Sequence, residues 1–303
     1  MPNAATLKLV KPQNATAAPA DASPFPHAML SHRGRVRHAN EDACAALPEQ
    51  SAFIVCDGMG GAAAGEVASH LATDAFLNSL GHSSPTQAQP RRPPKAASIP
   101  GSADNGSAEL DPPNHPRARL YEAVRAANHA VFQRAQKSRA LRGMGTTLVA
   151  VLLENDAAPR DDAADRLTPT LWLAHVGDSR CYRFRSRTLE LLTEDHSLVE
   201  EQVRAGMLSR DQAGCSPIRN IITRAIGSQS AVEPDIAAHA TRPGDLYLLV
   251  SDGLTRELDD AEIARILTRA AGRALESACQ SLIDAANDKG GCDNITVLLV
   301  SCP

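Results

Sequence analysis

Apolar residues along this chain fall into two kinds of run. Some are short and unbroken: Ser51–Cys56, Thr146–Leu153, Leu171–Val176, Leu246–Val250 and Ile295–Val300. Runs of that length, rich in branched aliphatics and bounded by Asp, Gly or Ser, predict buried strands. Cys181–Phe184 and Leu189–Leu192 add two more, with GDSR and SRT as turn-like connections. Other runs are spaced for helices. From Ala63 onward, Val67, Ala68, Leu71, Ala72, Ala75, Phe76 and Leu80 share one helical face, and Leu120, Val124, Ala127, Val131 and Ala135 share another. After Val250, Asp259 with Glu262 reads as a capping box, and a stripe of Leu275, Cys279, Leu282, Ile283 and Ala286 ends at Gly290-Gly291. The stretch 195–229 starts helical and turns irregular. Helices in consecutive pairs and strands in runs predict antiparallel sheets covered by helices, not a parallel doubly wound sheet.

Two segments break this pattern. Of 20 prolines, five fall in residues 1–26, a segment rich in Ala, Pro, Asn and Thr, and eight in 85–116, which has almost no bulky apolar residue to offset chain entropy. The expectation is a disordered tail over 1–26 and a single domain over 27–303, carrying a flexible insertion over about 83–116 between its first two helices. RRPPK at 91–95 reads as part of that plain insertion rather than as a docking motif.

Charge narrows the function. A net charge of −4 gives no positive field to collect phosphates or anionic lipid, so nucleic-acid and membrane-surface partners are not expected. No apolar run approaches the ~20 residues of a bilayer span, and no signal-peptide core is visible, so a cytoplasmic protein is expected. Seven cysteines without a CxxC pair read as reduced, structural thiols.

The candidate chemistry lies in acids. Asp57 in CDGMGG, Asp178 in VGDSR and Asp252 in VSDG come at or just beyond the ends of apolar strands, with Glu41-Asp42 in NED and Asp293 in CDN in similar settings. One Asp-Gly after a strand is ordinarily a turn. Several on one sheet rim repel one another and raise each other's pKa unless cations neutralise them, and oxygen donors suit magnesium or manganese. No nearby His/Cys set favours zinc. In SHRGRVRHANED (31–42), period-2 alternation would put Arg33, Arg35 and Arg37 on one strand face. They read either as a solvated basic edge or as guanidinium donors for a phosphate dianion beside the cations. Acids with an arginine beside them are what a metal-assisted phosphate hydrolase needs. GMGG lacks a following GK[ST], and GxSxG, HExxH and CxxxxxR are absent. His175 and His196 read as isolated packing or capping residues, and Trp172 as core.

S-x-x-G-x-V-R-x-x-N-E-D (31–42), D-G-M-G-G-x-x-x-G-E-x-A-S (57–69), G-M-G-T-T (143–147), H-V-G-D-S-R (175–180), S-D-G-L (251–254) and G-x-D-N-I-T-V (291–297) occur in the order seen in metal-dependent protein phosphatases. From about residue 29 to the C-terminus, insertion excluded, the chain resembles the bacterial branch of the protein phosphatase 2C family. The resemblance implies an α+β fold: a four-layer α-β-β-α sandwich, two mainly antiparallel sheets flanked by helix pairs, with two Mn2+ or Mg2+ ions at one end. By that resemblance Asp57 bridges both ions, Asp252 and Asp293 complete the first ion's protein ligands, the Gly58 carbonyl serves the second, and Glu41 contacts the second through water. Asp178, with Asp252, matches the place of a third, weaker ion. Arg37 matches the phosphate-binding arginine, whereas Arg33 and Arg35 match nothing assigned. Residues from about 205 to 220 correspond to a mobile flap over the substrate.

The implied activity is a serine/threonine protein phosphatase that hydrolyses phosphoserine and phosphothreonine by direct attack of a hydroxide bridging the metals. Its implied partners are phosphorylated proteins and a cognate bacterial Ser/Thr kinase, and it is expected to be a monomer. Many relatives place a histidine just after the DG, where this chain has Met59, which leaves a metal-bound water as the expected general acid. His32 stands where relatives often have Asp, and Cys292 where they usually have Pro; neither removes a ligand. A catalytically weak phosphoprotein-binding scaffold on the same fold is the alternative, disfavoured because no acidic position is broken. A two-metal nuclease is disfavoured by the acidity and by only 3% aromatic residues.

Overall fold

The computed structural model describes residues 24–81, 112–154, 169–209, 212–213, 216–218 and 220–303. Most of the expected tail and insertion lies outside them. One sheet has the strand order β1-β11-β10-β7-β8, built from β1 (His27–His32), β7 (Arg180–Arg185), β8 (Thr188–Leu191), β10 (Leu246–Val250) and β11 (Ile295–Ser301). The other runs β2-β3-β5-β6-β9, from β2 (Asp42–Leu47), β3 (Ala52–Met59), β5 (Leu148–Glu154), β6 (Thr170–Val176) and β9 (Asp235–Ala240), with the two-residue β4 (Gly145–Thr146) on β3. Every pairing between these strands is antiparallel. The helices are α1 (Ala62–Gly81), α2 (Pro116–Lys137), α3 (Leu198–Arg204), α4 (Asp252–Thr255), α5 (Asp260–Ala270) and α6 (Leu275–Lys289). The α1/α2 pair covers the second sheet and the α5/α6 pair the first, giving the four-layer α-β-β-α sandwich.

Period 2 explains why the central strands read as unbroken apolar runs: both of their faces are buried. In β3, Ala52, Ile54 and Cys56 pack under α1 and α2, while Phe53 and Val55 face the other sheet. In β11, Ile295, Val297 and Leu299 face α5 and α6, while Leu298 and Val300 meet Phe53, Val149, Val151 and Leu249 between the sheets. Each fully buried aliphatic or aromatic side chain contributes roughly 1.5–3 kcal/mol. The helices end as their sequences direct. Asp259 Oδ1 accepts from the Glu262 amide at 2.8 Å and Glu262 Oε2 from the Asp259 amide at 3.1 Å, and Gly290 follows the last residue of α6.

Several expectations need correction. β2 (DACAAL) and β9 (DIAAHA) carry no strand signal, because alanine has low β-propensity; they are edge strands held by β3 and β6. Arg33, Arg35 and Arg37 do not share a strand face. β1 stops at His32, and Gly34 at φ +76 turns the chain so that the Arg35 amide donates to the Gly291 carbonyl at 2.7 Å. A side chain at position 34 would strike the Gly291 carbonyl oxygen, 2.6 Å away. β3 does not end at Cys56: Gly58 and Met59 continue it by pairing with Thr146 and Gly145. The strand expected over 146–153 breaks at Thr147.

Cys44, Cys56, Cys181, Cys279 and Cys302 are buried and free, Cys292 is exposed, and Cys215 lies outside the described residues. Trp172 is half-buried against the α1/α2 core. His175 and His196 are not isolated, since their rings pack 4.6 Å apart. Among the described residues, no helix is long and apolar enough to cross a membrane.

Candidate metal centre

Antiparallel pairing brings the acids to one end of the sandwich. Asp252 lies just past the end of β10 and Asp293 just before the start of its partner β11. Glu41 precedes β2, whose first residue, Asp42, lies opposite Asp57 near the end of β3. Asp178 sits in the short connection from β6 to β7. Strand ends at the same rim thus collect residues up to 252 positions apart in the chain.

Six of the seven candidate site residues line one cleft of about 360 Å³: Arg37, Glu41, Asp57, Gly58, Asp252 and Asp293. Asp178 lines a second cleft of about 290 Å³, which shares Asp252, Arg256 and Asn220 with the first. Asn220 is the described end of the segment expected as a flap; parts of that segment lie outside the described residues.

The backbone around the acids is tied down. The Asp57 amide donates to Thr147 Oγ1 at 2.9 Å, and the Thr147 amide returns a bond to the Asp57 carbonyl at 2.9 Å. This exchange is what breaks the strand at Thr147. Asn294 fastens three chain segments: its Oδ1 accepts from the Glu41 amide at 2.7 Å, and its Nδ2 donates to the Arg33 and Ala39 carbonyls at 3.0 and 2.9 Å. Close backbone approach fixes Gly58, where a side chain would strike the Glu41 carbonyl oxygen, 2.5 Å away.

Electrostatics then set the chemistry. Burial first, then the charges of Asp42, Asp252, Asp178 and Asp293, push the Asp57 carboxyl well above the usual carboxylate range. Burial and the neighbouring Asp252 raise Asp178 to about 7. Burial raises Asp252, with Arg256 opposing, and raises Glu41 as well. Asp42 is also raised by burial to about 7, and its Oδ2 accepts from the hydroxyls of Ser251 and Thr296 at 2.8 and 2.7 Å. Buried oxygens Oδ1 of Asp178 and Oδ1 of Asp252 have no hydrogen-bond partner. Oxygen-only donors, mutual carboxylate repulsion and orphaned oxygens together fit hard divalent cations. Among the described residues, no three Asp, Glu, His or Cys side chains close into a ready cage. Arginines hold other oxygens of these acids: Arg37 and Arg256 both donate to Asp293 Oδ2, at 2.8 and 3.0 Å, and Arg256 also pairs with Asp252 Oδ2.

Arg256 lies outside every sequence motif, and Asn294, although part of G-x-D-N-I-T-V, has no role assigned to it from the sequence. Arg256 follows Asp252 by four positions, the spacing of a helical ion pair, but an Asp-Gly reads as a turn rather than as the start of α4.

The family model described as protein phosphatase 2C matches residues 31–285. The chain belongs to the protein phosphatase 2C family. Among its relatives, the serine/threonine phosphatase stp of Listeria innocua is 34% identical over 271 residues, 88% of this chain and 92% of the relative. The Mycobacterium tuberculosis serine/threonine phosphatase PstP/Ppp has a similar structure, with a TM-score of 0.70 and 33% identity over 92% of this chain and 98% of that chain. The catalytic domain of PstP in complex with two manganese ions has a TM-score of 0.67 and 32% identity, over 91% and 97% of the respective chains. The two-sheet sandwich with paired outer helices is therefore the protein phosphatase 2C fold in this chain.

Proposed function

We propose that this chain, a serine/threonine protein phosphatase by family, hydrolyses phosphoserine and phosphothreonine on proteins at the acidic cleft, using two Mn2+ or Mg2+ ions. In this reading it opposes a Ser/Thr kinase and acts as a monomer with one phosphatase domain over 27–303. The observation that carries the reading is the meeting of Asp57, Asp252 and Asp293 at one cleft with Arg37 on its rim.

Asp57, Asp252 and Asp293 would hold the ions by carboxylate oxygens, Gly58 by its carbonyl, and Glu41 through water. Ions held there would supply a water of lowered pKa and positive charge for the phosphoryl oxygens. Burial of the acids keeps that charge in a medium where it acts strongly. Arg37 is about half exposed (49%) and reaches Asp293 with one Nη, so its forked guanidinium is available at the mouth of the cleft to bind a phosphate dianion. Among the described lining residues of the cleft there is no Ser, Thr, Cys or His, which supports direct hydrolysis by water over a phosphorylated hydroxyl, thiol or imidazole. Met59, next to Gly58, carries no proton to give the leaving alkoxide, and in this reading a water would supply it.

Purified protein should hydrolyse p-nitrophenyl phosphate and a phosphothreonine peptide with Mn2+, and stop when EDTA is added. Asp57→Asn should lower kcat by about a thousandfold or more, because it removes a carboxylate that would hold the ions. An Asp57→Asn enzyme with the wild-type rate refutes the assignment.

A further inference from the structure

We propose that Arg33 and Arg35 form a docking site for anionic side chains, a carboxylate or a second phosphate, that flank the phosphorylated residue, so that acidic phosphopeptides are the favoured substrates. The inference rests on the phosphatase reading above and names the substrate class of that same site.

Gly34 brings both arginines to the centre. At φ +76 it lies against the carbonyls of Gly291 and Asp293, and the Arg35 amide donates to the Gly291 carbonyl at 2.7 Å. The stem of Arg35 runs along Gly291, where an added side chain would come within 3.2 Å of the Arg35 Cγ. The loop closes on Asn294, which lines the cleft and donates through Nδ2 to the carbonyls of both Arg33 and Ala39. Arg33, Arg35 and Arg37 thus stand on one pinned loop beside the acids. From Arg33 to Arg37 the chain spans at most about 14 Å, and an extended substrate advances about 3.3 Å per residue. With the phosphate at Arg37, side chains within about four residues of it come within reach of the other two guanidiniums.

The backbone of this loop is tied down, yet Arg33, Arg35, Val36 and Arg37 are all exposed. Arg33 makes no hydrogen bond or ion pair among the described residues. Arg35 holds only Asp288 Oδ1 at 2.7 Å, with side chains 58% and 76% exposed, a solvated pair of small net worth that a substrate anion can replace. Three guanidiniums in five residues stand out in a chain of net charge −4. The adjoining cleft has the opposite character: it is lined by Asp178, Asp195, Glu200 and Asp252 against Arg180 and Arg256, and by none of residues 31–41. An acidic flank is repelled there and attracted at the loop. Guanidiniums suit it because they stay charged and grip carboxylate or phosphate with two N–H groups.

The test compares phosphothreonine peptides carrying two Asp, two Ala or two Lys within four residues of the phosphothreonine, on its N-terminal or its C-terminal side, with the whole chain and saturating Mn2+. An exposed ion pair changes an equilibrium constant by up to about fivefold, so two should raise kcat/KM for Asp over Ala by about tenfold on at least one side. The gain should lie in KM and shrink at high salt. Arg33→Gln with Arg35→Gln should bring the Asp peptide down to the Ala level, Arg33→Glu with Arg35→Glu should turn the preference to Lys, and Arg33→Lys with Arg35→Lys should keep most of it. Hydrolysis of p-nitrophenyl phosphate, which has no flank, should stay within about twofold in all three. A second phosphothreonine in place of the Asp pair identifies the anion: a larger gain than Asp supports the site as one for phosphate, an equal or smaller gain as one for carboxylate. No Asp preference in wild type, a preference that survives both Gln substitutions, or loss of p-nitrophenyl phosphate hydrolysis along with peptide hydrolysis overturns the inference. Should the double variant fail to fold, Arg33→Gln alone decides: a weakened Asp preference supports the inference and an unchanged one overturns it. Wild type that hydrolyses neither p-nitrophenyl phosphate nor any peptide overturns the phosphatase reading itself, so the two failures are distinguishable.

Discussion

Gly65 is where packing and metal chemistry meet. It lies in the first turns of α1, pressed between Glu41 and the end of β3. A Cβ added there would land on Glu41 Oε2, 2.9 Å from the Glu41 carboxyl carbon and 2.9 Å from the Gly58 carbonyl carbon. Two effects compete in Gly65→Ala. Alanine gains up to ~1 kcal/mol of helix propensity, whereas an extra methyl in a filled site costs about 1–3 kcal/mol. The closest obstacle is the end of a side chain that can swing, but the Gly58 carbonyl carbon is backbone and must yield about half an ångström to reach ordinary contact. Stability should therefore fall by about 2 kcal/mol, the upper part of the overpacking cost less the gain in helix propensity. Function should suffer more, because Glu41 is expelled from the position in which it faces the cleft. Loss of an outer-sphere partner costs about 10–100-fold in metal affinity, so the Mn2+ midpoint for p-nitrophenyl phosphate hydrolysis should rise by that factor with little change in rate at saturation. The decisive comparison is with Glu41→Ala: in that background, Gly65→Ala should add nothing to the Mn2+ requirement. Additive effects, or a Gly65→Ala titration that overlays wild type, would show that the reasoning about Glu41 is wrong.

Other expectations are as specific. Asn294→Ala strands the Glu41 amide and the Arg33 and Ala39 carbonyls, which should cost about 1–3 kcal/mol in a urea unfolding series and raise KM for a phosphopeptide by loosening the loop that carries Arg37. Burial holds the His175 imidazole down to about 3, against 6.5 in the unfolded chain. The unfolded state therefore takes up a proton that the folded state refuses, and stability is lost as pH falls through 6.5. The loss should be about 1.4 kcal/mol at about pH 5.5, and His175→Leu should remove that part of the slope.

Legibility in the sequence followed burial. Strands covered on both sides announce themselves as apolar runs, which is why β3, β5, β10 and β11 are readable, whereas the alanine-rich edges β2 and β9 are fixed only by their partners. The arginine alternation misled because period 2 in exposed charges carries no burial information, and a turn at Gly34 costs the sequence only one letter. The acids were visible as motifs, but their meeting depends on register between distant strands, such as Asp42 opposite Asp57. That information is non-local. Arg256 shows the converse. Its contact with Asp252 is local, yet it depends on a four-residue helix that Asp-Gly does not suggest.

A fold that gathers acids at one rim gives up stability that cations should restore. Asp57, Asp178 and Asp252 all hold protons more tightly in the folded chain than in the unfolded one. For such groups the unfolded state ionises first, so their contribution is intact below about pH 4 and is lost as pH rises toward the folded value, about 7 for Asp178. The EDTA-treated chain should therefore lose stability across that interval, opposite in sign to the His175 effect and separable from it by the His175→Leu variant. Manganese should reverse the loss at neutral pH, by about 2.7 kcal/mol when its concentration is a hundred times the dissociation constant. Thermal unfolding with and without Mn2+ at pH 5 and pH 7.5 reads both effects. A metal-induced rise in Tm that is no larger at pH 7.5 than at pH 5 would mean that these carboxyls are not what the ions neutralise.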